Sequence, residues 1–344
     1  MDDVAREAGV SKSTVSLALN NKPGISVALK QNVLQAAANL GYRLAKPRPA
    51  LRTATNLNIA IVHSEPDQRP IGNPEPTGLY LHYLNGIRDF AQTTNLNLTV
   101  LADYREGETH GLAFQLLNGE RQHFDGYILM GWSARQGHRL VQQIVENRLP
   151  AVALSRSWPE LSISTVSPHY GQQVNLAIEH LVGLGHRRIA FLGRSDGPRN
   201  DWYGLRLAAY QAAMRRLTGS FEDRFVITGP TGRAAVQTLL AEHKDVTAIF
   251  AVNDDFALEV IRGLHERGCR VPQDLSIIGQ DDMASFLQPD LALTTVGFPH
   301  AEVGYLAASF LHQQIETPAL AYGNLWVRTY LIERSSCAAP KSGD

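Results

Sequence analysis

Two pairs of adjacent carboxylates, Asp254-Asp255 and Asp281-Asp282, have the residue types and spacing for acid–base chemistry in this 344-residue chain. Each follows a short apolar run, Ala248-Ile249-Phe250-Ala251-Val252 or Leu275-Ser276-Ile277-Ile278, that reads as a strand. Paired carboxylates can divide the general-acid and general-base roles between them. At the C-terminal ends of strands in an open α/β sheet they are equally suited to hydrogen-bond a ligand without reacting with it. Neither G-x-G-x-x-G after a strand nor G-x-x-x-x-G-K-[ST] occurs, and there is no H-E-x-x-H, so nucleotide and zinc-protease chemistry lose their main support. The 12 histidines are dispersed, with His169, His180 and His186 reading as helix-surface or helix-end residues. Cys269 and Cys337 are too few and too scattered for a disulfide framework or a metal cluster. No cofactor is implied, and the cysteine usage fits a reducing compartment. No apolar run approaches the ~20 residues of a membrane helix, and a basic n-region followed by an apolar core is missing at the start. The expected location is the cytoplasm.

The formal net charge of -1 conceals a split. Residues 1–53 hold 8 Lys+Arg against 3 Asp+Glu, net +5, which leaves 24 against 30, net -6, for the remainder. A small basic head on a mildly acidic body is the asymmetry expected when only the head meets phosphate.

Within the head, Val4, Ala5 and Ala8 mark one face of a short helix that Gly9 can end by adopting positive φ. Ser11 offers a hydroxyl N-cap to a second helix, in which Val15, Ala18 and Leu19 repeat on the face toward the first. After the turn Asn21-Lys22-Pro23-Gly24, Ser26 caps a third helix with the expected buried stripe Val33, Leu34, Ala37 and Leu40, stopped by Gly41. Two short helices joined by a Gly-containing turn make a helix-turn-helix, though any three-helix mini-domain with polar exposed positions shows similar spacing. In a helix-turn-helix the second helix enters the major groove N-terminus first, putting Lys12, Ser13, Ser16 and Leu17 within reach of base edges and Thr14 and Asn20 near phosphates.

From Leu57 onward, short apolar runs alternate with amphipathic helices. Strands are expected at 58–62, 98–101, 126–130, 151–154, 188–192, 248–252 and 275–278, and helices at 77–95, 134–147, 169–184, 202–217, 232–243, 254–267 and 300–316. Repeated β-α-β units imply parallel sheets with helices on both faces, and two comparable sets imply two subdomains with a cleft between them. The fold class expected is therefore α/β, preceded by an all-α head.

The run VAREAGVSKSTVSLALNNKPGIS with VLQAAANLGYR resembles, nearly position by position, the DNA-binding headpiece of the lactose-repressor (LacI) family of bacterial transcription regulators. The resemblance continues in the body through HLVGLGHRRIA (180–190), Ala251-Val252-Asn253-Asp254, Gly279-Gln280-Asp281-Asp282 and Leu293-Thr294-Thr295-Val296. It implies a headpiece over 1–45, a hinge over 46–56, a periplasmic-binding-protein-like core over 57–333 with three crossovers between subdomains, and a tail over 334–344. It also implies a homodimer on palindromic double-stranded operator DNA, with a small effector in each cleft, a sugar or a purine. The family's hinge helix wedges a leucine into the minor groove; by resemblance this is Leu51, and Arg48, which stands where relatives keep a small alanine, and Arg52 join it as DNA-binding candidates. Arg206, Asn253 and Asp281 match positions that hydrogen-bond the effector, and Tyr80, Tyr83, Trp132, Trp158 or Trp202 are the candidates for an aromatic platform, with Tyr80 taken into the site.

Departures from the family pattern matter. Leu17 stands where most relatives carry an arginine, and Leu44-Ala45-Lys46-Pro47-Arg48-Pro49 replaces the usual lead into the hinge. Pro47 and Pro49 fit either a short helix beginning near Pro47 or an extended linker. Ser167-Pro168 replaces a common Asp-Asn, and Gly229-Pro230-Thr231 lacks a frequent ligand-stacking aromatic. No leucine heptad follows Glu333, so a C-terminal tetramerisation helix is not expected. Two other readings remain in play: a sugar-binding protein without DNA function, and an α/β enzyme using Asp281 and Asp282. The departure at Leu17 has a direct consequence. An apolar side chain can touch a thymine methyl but cannot grip a guanine, so Leu17→Arg is expected to move base preference at one operator position by about 1–3 kcal/mol. Competition binding against all four bases at each half-site position measures this, and an unchanged base profile would refute it.

Overall fold

The computed structural model describes residues 2–19, 26–40, 56–63, 77–101, 124–130, 141, 144–155, 163–195, 201–283, 292–317 and 323–341. The chain divides into two units, Met1–Thr53 and Ala54–Asp344.

The first unit holds α1 (Asp2–Glu7), α2 (Lys12–Leu19) and α3 (Val27–Asn39). Gly9 takes φ 63° between α1 and α2, in the left-handed region where a Cβ would be penalised. The Ser11 hydroxyl accepts the Thr14 N–H at 3.1 Å, and Ser26 accepts that of Leu29 at 3.3 Å, so both expected N-caps form. Val4, Ala8, Val15, Ala18, Val33, Ala36 and Ala37 pack into one core. The stripe expected on α3 needs correction: Leu34 and Leu40 are 44% and 47% exposed, and Ala36 is buried instead. The face that meets α1 and α2 runs through 33, 36 and 37, one residue offset from Leu34 and so rotated about 100° away from it.

Two six-stranded sheets build the second unit. Sheet A is ordered β11-β5-β4-β3-β1-β2, with β1 (Leu57–His63), β2 (Leu96–Leu101), β3 (Gly126–Met130), β4 (Ala151–Leu154), β5 (Ser164–Pro168) and β11 (Asn324–Val327), every pair parallel. Sheet B is ordered β12-β10-β9-β8-β6-β7, with β6 (Ile189–Arg194), β7 (Val226–Gly229), β8 (Ala248–Ala251), β9 (Ser276–Gln280), β10 (Thr294–Gly297) and β12 (Tyr330–Ile332); only β12 runs antiparallel to its neighbour. Strands β3, β4 and β8 are buried at every position, which is why they appear in sequence as unbroken apolar runs rather than alternating ones.

The helices are α4 (Thr77–Thr93), α5 (Tyr170–Gly183), α6 (Asp201–Thr218), α7 (Gly232–Glu242), α8 (Asp254–His265) and α9 (His300–Glu316). Helix α5 packs on α6 and against β8, β9 and β10, whereas α9 packs on α4 and against β3, β4 and β5. The chain therefore passes between the two sheet layers three times, at 168–170, 297–300 and 327–330.

One expectation from sequence gains detail here and one fails. Residues 334–341, expected as a C-terminal tail, are bonded to the strands of sheet B and the segment before them. Ser336 accepts the Thr294 N–H at 2.8 Å and donates to the Ile277 carbonyl at 2.6 Å, Ala338 bonds Ser276, and Lys341 reaches Asp274 at 2.7 Å. His186 is a buried residue and not a surface one: its Nε2 donates to the Ala338 carbonyl at 2.8 Å and its Nδ1 lies 2.9 Å from the Thr247 hydroxyl. Burial pushes its pKa below the usual histidine value.

Helices α4 and α9 meet backbone to backbone. A Cβ built on Gly86 would lie 1.7 Å from the Ala301 carbonyl oxygen, and one on Gly304 would lie 2.0 Å from that of Tyr83. Neither obstacle is a flexible side-chain tip, so relief requires the helices to separate. Gly304→Ala should cost about 2–3 kcal/mol, at the upper end of ordinary overpacking. Gly204→Ala, on α6 with nothing within 4 Å of its Cβ, should instead stabilise by about 0.5–1 kcal/mol. Urea unfolding of the two variants checks the contrast, which disappears if α4 and α9 do not cross at these glycines.

Candidate effector site

Arg206 sits in the second turn of α6 with a side chain only 3% exposed, because that face of the helix lies on α5. Its Nη1 donates to the Val252 carbonyl at 2.8 Å, and its Nη2 donates to Gln173 Oε1 at 3.3 Å and to the Asp281 carboxylate. The guanidinium lies over the rings of Tyr170 and Trp202, whose centroids lie 5.1 and 5.0 Å from Cζ. The Nε of Arg206 is buried with no hydrogen-bond partner among the described residues.

Asp281 is held at every polar group. Its N–H donates to the Val296 carbonyl at 2.9 Å, its carbonyl accepts His300 Nε2–H at 2.7 Å, and its carboxylate takes Arg206 and, at 3.4 Å, the Gln173 amide. These contacts hold a backbone with φ 90°, followed by Asp282 at φ 54°. Two successive non-glycine residues at positive φ cost of order 1–3 kcal/mol each, so the surrounding contacts must over-determine them. The kink sends the two carboxylates to different partners: Asp281 to Arg206, and Asp282 to Arg334 at 2.7 Å. Each carboxylate is matched by its own guanidinium.

A second group of contacts lies at the end of β4. Ser155, at φ 55°, places its hydroxyl 2.7 Å from the Tyr83 hydroxyl, and its carbonyl accepts the Tyr170 hydroxyl at 3.0 Å. Tyr83 is 1% exposed, and burial lifts its pKa well above the ordinary phenol value, so it stays a neutral hydrogen-bonding group.

Of the residues expected from sequence to contact an effector, Arg206 and Asp281 come together directly. Asn253 lies between β8 and α8, next to Val252, whose carbonyl Arg206 holds, but its side-chain oxygen is spent capping α8 by accepting the Phe256 N–H at 3.0 Å. Tyr80 is half-buried with its ring edge on Tyr83 at 6.5 Å, so Tyr83 is the tyrosine whose hydroxyl reaches Ser155. Trp202 lies on Arg206; Trp132 and Trp158 lie outside the described residues. Asp254 is buried and accepts the Met283 N–H and the Thr295 hydroxyl, both at 2.7 Å, a structural role.

Gln173, Tyr170, Ser155 and His300 were not singled out. Gln173 carries a visible signal: it precedes Val174 and shares the buried face of α5 with Ala177, Ile178 and Leu181, an amide on an apolar stripe. A G-x-S-x-G string also occurs, Gly193-Arg194-Ser195-Asp196-Gly197, at the end of β6. A nucleophile elbow holds its serine on a strained turn, and Ser195 is absent from the residues with positive φ and has an exposed side chain.

In the headpiece, Lys12 and Ser13 are exposed at the start of α2, while Thr14 and Leu17 are half-buried. The Ser11 hydroxyl links those of Ser13 at 2.7 Å and Thr14 at 2.9 Å. The side chain of Ser16, and Asn20, Arg48, Leu51 and Arg52, lie outside the described residues.

Comparison with known proteins agrees with both units. Residues 1–44 match the family described as bacterial regulatory proteins, lacI family, and residues 178–337 match a periplasmic binding protein-like domain. Catabolite control protein A of Priestia megaterium is 30% identical over 317 residues, 90% of each chain. The HTH-type transcriptional regulator CelR of Thermobifida fusca is 30% identical over 343 residues, 98% of this chain and 97% of that protein. The solved complex of the transcriptional regulator CelR with cellobiose aligns at a TM-score of 0.67 and 26% identity, covering 97% of this chain and 98% of that one. A lac repressor dimer bound to operator and the anti-inducer ONPF has the same fold, with a TM-score of 0.65 at 23% identity over 98% of each chain. A helix-turn-helix headpiece carried with a two-sheet core of this kind defines a DNA-binding transcriptional regulator, which the reading as a sugar-binding protein without DNA function does not accommodate. The chain belongs to the LacI family.

His300 supplies a test of the site's electrostatics. Burial drives its pKa below the usual histidine value, outweighing the opposite pull of Asp281, its carbonyl and Asp282; His82 adds to the lowering. Its neutral ring is favoured in the fold, so its contribution is fully present above pH ~6.5 and is lost as pH falls through the unfolded histidine value toward the folded one. Urea midpoints at pH 7.5 and 5.5 should show a fall that is smaller in His300→Gln. An identical fall in both proteins would show that His300 is not desolvated.

Proposed function

We propose that this regulator is a repressor acting as a homodimer on a palindromic operator, with operator affinity set by a small effector bound at Arg206 and Asp281. The dimer bound to operator in the lac repressor structure, and cellobiose in the CelR structure, support this reading. In each headpiece Lys12, Ser13, Ser16 and Leu17 meet base edges, Thr14 and Asn20 meet phosphates, and Arg48, Leu51 and Arg52 engage the operator centre. The site of action is the chromosome, hence the cytoplasm. A neutral sugar is the favoured effector class over a purine, because the site pairs a guanidinium and a carboxylate that together donate to and accept from vicinal hydroxyls. Asn253 lies at the floor beside Val252, and Tyr80 borders Tyr83.

The observation that carries the proposal is the position of the Arg206–Asp281 pair beside two of the three crossovers, Tyr170 following the first and His300 ending the second. A ligand that competes for these groups biases how the two sheet layers sit across those segments. Differential affinity for two such states, about 1–3 kcal/mol, is the whole of an effector's influence on DNA binding.

Fluorescence anisotropy on labelled DNA from upstream of the gene and its neighbours tests the scheme, with and without a panel of sugars and purines. Salt-sensitive, sequence-preferring binding is expected. Asp281→Asn should keep operator affinity within about twofold while reducing the effector response by about tenfold or more. Binding without sequence preference overturns the operator assignment, and an unchanged effector response in Asp281→Asn overturns the effector site.

A further inference from the structure

A cavity of about 340 Å³ adjoins Arg206, lined in part by Tyr170 and Trp202, the two rings on which that guanidinium lies. One wall comes from sheet A. In the register of the parallel strands, Asn324 stands beside Thr165 and Trp326 beside Ser167, so these four alternate residues share one sheet face. The opposite wall is Trp202 at the start of α6, which belongs to the layer of sheet B. His169, on the crossover between them, sits edge-on to Trp326 with ring centroids 4.7 Å apart.

The chemistry of this lining is specific. Among the described residues, none of those lining the cavity is Asp, Glu, Lys or Arg. His169 Nδ1 accepts the Gln172 N–H at 3.1 Å, leaving Nε2 as the ring nitrogen that can donate. Thr165 donates its hydroxyl to Asn324 Oδ1 at 2.6 Å, leaving the amide NH2 as the donor that Asn324 offers. Trp326 is 65% exposed at this edge, a large apolar surface left to solvent on a strand whose neighbour Val327 is buried. Two indoles with short hydroxyl and amide groups around them suit a flat ring with apolar C–H faces and a rim of hydroxyls. A charged sugar, a phosphate ester or a nucleotide would find no counter-charge among these residues.

We propose that this cavity is a second sugar subsite: it receives a neutral pyranose joined to the one held at Arg206 and Asp281, so the effector is a disaccharide or longer neutral oligosaccharide. This rests on the effector site proposed above. The second unit touches Trp326 on sheet A and Trp202 on the sheet B layer, on either side of the 168–170 crossover, and so adds contacts that depend on how the two layers sit. A monosaccharide occupying only the first subsite lacks them.

Isothermal titration of the full-length protein with glucose, galactose, ribose, adenine, cellobiose, maltose and lactose tests the assignment, followed by the same titrations on Trp326→Ala, Trp326→Phe and Asp281→Asn. At least one disaccharide should bind about tenfold more tightly than its constituent monosaccharides. Trp326→Ala should remove that advantage while changing monosaccharide binding by less than about twofold, and Trp326→Phe should recover most of it. The subsite is overturned if no disaccharide outcompetes its monosaccharides, if adenine binds as tightly as every disaccharide, or if Trp326→Ala weakens mono- and disaccharides equally. The two assignments separate cleanly. Binding abolished by Asp281→Asn but untouched by Trp326→Ala keeps the effector site and removes the subsite. Disaccharide binding lost in Trp326→Ala but kept in Asp281→Asn does the reverse.

Discussion

The ion pair between Arg206 and Asp281 is the constraint around which the core is arranged. Two opposite charges, 3% and 14% exposed, give up most of their hydration, and the penalty for each ion in a protein interior is several kcal/mol. Their mutual attraction offsets this only where further hydrogen bonds complete both groups. Val252, Gln173, Val296 and His300 supply them, from β8's end, α5, β10 and α9. Meeting those demands forces the end of β9 into two left-handed residues. A buried pair of this kind is weak evidence for stability, since an apolar replacement of equal volume would often serve as well.

The contacts around that pair close on themselves. Asp281 is held by His300, the first residue of α9; α9 then crosses to sheet A, where Gly304 lies against the Tyr83 carbonyl. The Tyr83 hydroxyl meets Ser155, the Ser155 carbonyl takes Tyr170, and the Tyr170 ring covers Arg206. This ring of contacts passes through both sheet layers and two of the three crossovers. Packed interiors transmit displacement because they have little free volume to absorb it. A ligand that alters the hydrogen bonding of Arg206 or Asp281 therefore acts on α4, α9 and the end of β4 together, and the glycine contact between α4 and α9 leaves that link no slack.

What could be read from sequence followed from how each element is buried. The central strands β1, β3, β4 and β8 stood out because both faces are covered and their residues are continuously apolar. Strands β5 (STVSP), β7 (VITG), β10 (TTVG), β11 (NLWV) and β12 (YLI) carry a weaker signal: they are three to five residues long, and most hold Ser, Thr or Asn, which in β5 and β10 are buried yet break the apolar run that marks a covered strand. Arg206 and Asp281 were legible through family resemblance, not through spacing, because 75 residues separate two groups that only the packing of α6 against sheet B brings together. Tyr170 and Ser155 gave no sequence signal; one follows a strand as the first residue of a helix, the other ends a strand, and neither position is unusual in itself. The tail at 334–341 reads as polar and structureless, yet its backbone and serines complete the edge between β9 and β10.

The headpiece obeys a different economy. Its core is made of valines and alanines, with Leu34 on α3 and Leu40 just beyond it left exposed, and a unit of 53 residues buries a smaller fraction of its surface than a full domain does. Such a unit can present a groove-reading helix but cannot hold it against the cost of docking through many side-chain contacts. Among the described side chains of α2 the exposed ones are Lys12 and the short Ser13, with Ser11, Ser13 and Thr14 already linked through their hydroxyls. Short hydroxyls lose little rotamer entropy on binding, and tied hydroxyls lose less. The half-buried Leu17 continues this pattern, replacing a long guanidinium with an apolar group that contributes shape and little charge. Affinity built from so few contacts per head scales steeply with their number, so two heads held together bind where one does not. A core that changes their spacing by a small amount can then switch the whole interaction.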